Sequence, residues 1–109
     1  MSSETLTLVD KEMAMARAAI TEMNNGKARV CARRAVVLVI QERMKYNQPP
    51  WNSRLALEYI SEGNKFPDEV ITAGRRLQGG LRAQLSGEVY SENPIEDAEI
   101  IIRYFVDLP

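Results

Sequence analysis

The chain has 109 residues, 45% of them hydrophobic and 27% charged, with a formal net charge of −1 and no histidine. Those proportions are ordinary for a globular protein and exclude general disorder or a membrane-embedded chain; the longest apolar run, 35–40, falls far short of the roughly 20 residues that cross a bilayer. The near-neutral total hides a polarity, because residues 27–82 hold eleven Lys/Arg against five Asp/Glu (+6) while the two ends hold three against ten (−7).

A first helix is predicted over 8–24, where Val9, Met13, Ala16, Ile20 and Met23 recur at three- and four-residue steps and so share one face. Thr7 stands at the N-cap position with Asp10 in the first turn, and Asn24-Asn25-Gly26 reads as the stop. Residues 1–6 are expected to be disordered. A second helix is predicted over 28–46. Its β-branched centre, Val36, Val37, Val39 and Ile40, taken alone reads equally as a buried strand. Nineteen residues without Gly or Pro decide for helix. A helix apolar on all sides at its centre must be enclosed by others, which makes this one central.

Pro49-Pro50-Trp51 is a stiff connection, because each proline fixes its own φ and restricts the residue before it. A third helix over 53–61 offers Leu55, Leu57, Tyr59 and Ile60, and residues 62–66 read as a loop. Pro67, Asp68 and Glu69 suit the first turn of a fourth helix, which runs through Val70, Ile71, Ala73 and Leu77 until Gly79-Gly80 interrupts it before 81–85. The last helix has the best N-terminal signature: Asn93 as cap, Pro94 at the first helical position and Glu96 completing a capping box. Ile95, Ala98, Ile102 and Phe105 form its stripe, widened by Ile101, Tyr104 and Leu108. The expected fold is all-α, one compact bundle of about five helices over 1–109 with a buried central second helix.

Chemistry finds little footing. The absence of histidine removes the commonest metal ligand and neutral-pH base, one cysteine builds no zinc site, and no Walker-type, Gly-x-Gly-x-x-Gly or Gly-x-Ser-x-Gly motif occurs. No catalytic, cofactor-binding or metal-binding residue is therefore predicted. Cys31, beside Arg29, Arg33 and Arg34, reads as a core thiol rather than a reactive one. A lone cysteine suits a reducing cytoplasm, and the first residues show no secretory pattern.

The basic centre invites a partner. On a helical projection Arg29, Arg33 and Arg43 fall within about 40° of one direction, whereas Arg34 and Lys45 point about 140° to 160° away. Arg29 and Arg33 are expected to neutralise carboxylates of the last segment such as Glu96, Asp97 and Glu99, leaving Arg34, Arg75, Arg76 and Arg82 for a partner. Trp51, with Tyr46, is either an aromatic anchor or a cap on the bundle end. Met13, Met15, Met23 and Met44 read as core rather than as a binding groove. The expected function is a non-catalytic cytosolic protein-binding module, an adaptor, regulator or inhibitor, using Arg34, Trp51, Arg75, Arg76 and Arg82. Opposite charge patches also allow a homodimer. The alternative is a nucleic-acid-binding regulator using Arg29, Arg33, Arg34, Arg75, Arg76 and Arg82. A sequence pI of about 5.5 and the acids at the start of the fourth helix weigh against it.

Overall fold

The computed structural model describes residues 1–44, 53–62, 65–79, 85–87 and 90–108. Among them are five helices: α1 (Ser3–Thr21), α2 (Asn25–Arg43), α3 (Ser53–Ser61), α4 (Asp68–Gln78) and α5 (Pro94–Asp107). The fold is all-α. α1 lies along α2, α2 also packs on α5 and α3, and α4 bridges α3 and α5. α2 thus packs extensively on three of the other four helices, as its apolar centre required. Ala35, Val36, Val39 and Ile40 are fully enclosed, and with Leu57, Ile60, Leu77, Ile101 and Phe105 they form the core. A radius of gyration of 13.2 Å matches a compact body of this length. Among the described residues no helix is long and apolar enough to cross a membrane.

α1 begins earlier than its apolar stripe suggests. Ser2 is the N-cap, its Oγ accepting the Thr5 N–H at 3.1 Å. The hydroxyls of Ser2 and Thr5 each donate to Glu42 Oε1 of α2 at 2.8 Å. Four of the six residues expected to be disordered are therefore helical, because a cap and a bond to a helix forty residues away hold them.

The α1–α2 turn also corrects the expectation. α1 stops at Thr21, and Met23, not a glycine, takes the left-handed conformation (φ 61°). The Met23 N–H reaches the Ile20 carbonyl and the Asn24 N–H the Ala19 carbonyl, the pair of bonds that closes a Schellman motif. Asn24, read as a stop, is the start of the next helix: its Oδ1 caps the Lys27 N–H. Met23 is consequently 88% exposed rather than core, while Met13 is buried and Met15 and Met44 are half-buried.

α3 has the predicted bounds. α4 starts one residue later than Pro67 suggested, with Pro67 at its cap position, and Gly79 ends it in extended backbone. Gly74 lets α3 and α4 approach: a Cβ there would stand 2.8 Å from Ile60 Cγ2 and 3.0 Å from Ser61 Oγ. Phe66, from the segment between α3 and α4, packs its ring among Tyr59, Tyr104 and Phe105 with centroids 5.5 to 5.9 Å apart. That places a loop residue at the junction of α3 and α5. α5 starts as predicted, with Asn93 Oδ1 accepting the Glu96 N–H at 3.1 Å behind Pro94. The predicted segments at Tyr46, Trp51 and 81–84 lie outside the described residues.

Candidate functional site

The side of α2 facing α4 and α5 takes up arginines in a way no sequence pattern announces. A helix leaves its last carbonyls without partners inside the helix, and α2 supplies donors to two such ends. Arg33 donates from Nε to the Leu77 carbonyl at 2.7 Å and from Nη2 to the Gly79 carbonyl at 2.8 Å. Arg43 does the same for α5, reaching the carbonyls of Phe105 and Leu108 at 2.8 Å each. Guanidinium suits this because its planar fork can serve two acceptors at once, and positive charge complements the negative end of a helix dipole. Arg29 donates to the Ser91 carbonyl ahead of α5 and lies over the Tyr90 ring.

The carboxylates assigned to Arg29 and Arg33 have other partners. Asp97, buried, accepts from Arg76 at 2.6 Å and from the buried Ser91 hydroxyl at 2.6 Å. Glu99 pairs with Arg17 at 3.0 Å and Arg103 at 3.5 Å. Internal neutralisation is real, but Arg29 and Arg33 neutralise backbone carbonyls rather than side chains. Burial, and secondarily the Arg29 cation, hold the Arg33 guanidinium below its ordinary pKa; hydrogen bonding to Asp97 raises that of Arg76 against the opposing effect of burial. Both stay charged at neutral pH.

Of the five residues expected to meet a partner, Arg76 is thus committed to Asp97, with its side chain 36% exposed. Arg34 and Arg75 are exposed and make no side-chain hydrogen bond or ion pair among the described residues. Arg34 stands on α2 and Arg75 on α4. Trp51 and Arg82 lie outside the described residues.

Among the described residues, no helix covers the opposite side of α2. Leu8 lies about 180° around α1 from Arg17, and Arg34 about 180° around α2 from Arg43. Both Arg17 and Arg43 engage α5, so Leu8 and Arg34 share the side of the α1–α2 pair turned away from it. Along α1 this side carries Glu4, Leu8, Glu12 and Met15, with Glu22 at its C-cap; along α2 it carries Lys27, Val30, Arg34, Val37 and Leu38. Leu8 is 45% and Val30 44% exposed. Met15, Val37 and Leu38 are half-buried between the charges. Glu12 stands here too, with one carboxylate oxygen, Oε2, enclosed within the protomer and without a hydrogen-bond partner among the described residues. Sequence reasoning found Arg34 here but missed Leu8, Glu12 and Val30. The signal was the antiparallel register: residues whose numbers add to about 47 lie level, as Thr5 and Glu42 do, which sets Leu8 at about the height of Leu38 and Glu12 at about that of Arg34.

Among the described residues no group of three or more acidic or cysteine side chains is placed to hold a metal ion. Cys31 is buried. No protein-family model, curated protein or solved structure matches the chain, so a functional reading has to come from this surface.

Proposed function

We propose that the protein is a non-catalytic cytosolic protein-binding module, an adaptor, regulator or inhibitor, whose binding face is the outer side of α1 and α2. The observation that carries this reading is the combination of half-exposed Leu8 and Val30 with Arg34 between them, which has no hydrogen-bond or ion-pair partner among the described residues. Apolar side chains rimmed by charge are the usual composition of an interface. A single buried cysteine fits a reducing compartment. Nucleic acid is the less favoured partner. Of the six arginines that reading relies on, Arg29, Arg33 and Arg76 are engaged with the fold, and Arg34 and Arg75 sit on separate helices.

Affinity isolation from native lysate tests the face directly. Wild type is expected to recover a reproducible protein that both Val30→Glu and Arg34→Glu lose. Recovery unchanged by either substitution would remove this face from the function.

A further inference from the structure

Two features of the open face point to the same occupant. Its α1 edge is acidic, with Glu4, Glu12 and Glu22 against Lys11, whereas its α2 edge is basic, with Lys27 and Arg34. Two 19-residue helices side by side also present a face about 28 Å by 20 Å, of the same order as the roughly 800 Å² per partner of a standard interface.

We infer that a second copy of the chain covers this face, in a two-fold homodimer that lays α2 of each protomer over α1 of the other. The inference rests on the reading of this face as a binding surface and names its partner. A two-fold axis running parallel to the helices keeps each residue at its own height along the bundle, so the register within one chain also sets the register between chains. Arg34 then meets the carboxylate of Glu12 of the partner subunit, cation against anion. Leu38 meets Leu8 of the partner subunit, Val30 meets Met15 of the partner subunit, and Lys27 lies near Glu22 of the partner subunit. The other face-to-face arrangement, with the axis across the helices, stacks α1 on α1 and α2 on α2 and so opposes like charges. Charge therefore selects the crossed pairing. By symmetry every contact occurs twice, so each substitution acts twice.

Sedimentation equilibrium of the full chain over a wide concentration range tests this. Wild type should form a dimer with no higher species. Val30→Glu buries two carboxylates and Arg34→Glu sets glutamate against Glu12 twice; each should raise the dissociation constant about a hundredfold. Lys27→Glu or Glu22→Lys should each weaken association about tenfold, and the two together should restore it. Circular dichroism serves as the control for folding. A monomer at every concentration, a dimer indifferent to Val30→Glu and Arg34→Glu, or a double charge exchange without recovery would each overturn the proposal. A monomer whose captured lysate protein is still lost on Val30→Glu would overturn the homodimer while leaving the binding face in place.

Discussion

Arg33 and Arg34 are adjacent in the sequence and about 100° apart around α2, and that angle separates their roles. Arg33 turns toward α4 and closes its terminal carbonyls, whereas Arg34 turns to solvent and bonds nothing among the described residues. Arg75 and Arg76 repeat the division, one exposed and the other holding Asp97. Whether an arginine belongs to the fold or to the surface is decided by what stands opposite it, a helix end or a buried carboxylate in these cases. Counting cations along the chain therefore overstates the charge available to a partner.

Substitutions on the packed side should cost stability and those on the open side should not. The largest effect is expected for Asp97→Ala, which strands the buried Ser91 hydroxyl and leaves Arg76 without its acceptor. Urea denaturation should register a loss of about 3 kcal/mol, and a loss below about 1 kcal/mol would show that the triad is not what joins α4 to α5. Arg33→Ala and Arg43→Ala come next, at about 2 kcal/mol each for charge-assisted bonds to carbonyls. Arg33→Lys should recover little of that, because an ammonium lacks the fork that spans Leu77 and Gly79. Met23→Gly, at the tip between the two sides, should stabilise by about 0.5 to 1 kcal/mol in thermal unfolding, since glycine tolerates the left-handed turn and the methionine side chain is 88% exposed. Arg34→Ala should stay within about 0.5 kcal/mol of wild type in dilute solution. A larger loss there would place Arg34 in the fold after all and remove the contrast with Arg33.

The parts of the fold that were legible in the sequence were those with local causes. α3 lies where its apolar residues and its flanking breakers put it, and Asn93, Pro94 and Glu96 mark the start of α5 because a capping arrangement is complete within four residues. The α1–α2 turn departs from the expectation because an asparagine such as Asn24 can end one helix or cap the next. The deciding residue was Met23, a poor candidate for left-handed backbone by any local rule. The early start of α1 depends on Glu42, and the commitment of Arg76 depends on Asp97. Neither long-range partner is signalled by nearby sequence. The candidate face was half legible for the same reason: Arg34 is exposed on its own helix, but Leu8, Glu12 and Val30 join it only once two helices are aligned.

The arginines that finish α4 and α5 also set an order of events. The last turn of each helix has carbonyls satisfied by a side chain rooted in α2, so neither end is complete until α2 has docked. In a typical helix the terminal turns fray independently, and their amides exchange with solvent long before the rest. Here the ends of two helices are tied to the most enclosed helix of the bundle, so fraying at either end must break a bond to the centre. Protection from hydrogen exchange should therefore extend into those final turns, and it should retreat from the end of α4 in Arg33→Ala and from the end of α5 in Arg43→Ala while the other end stays protected.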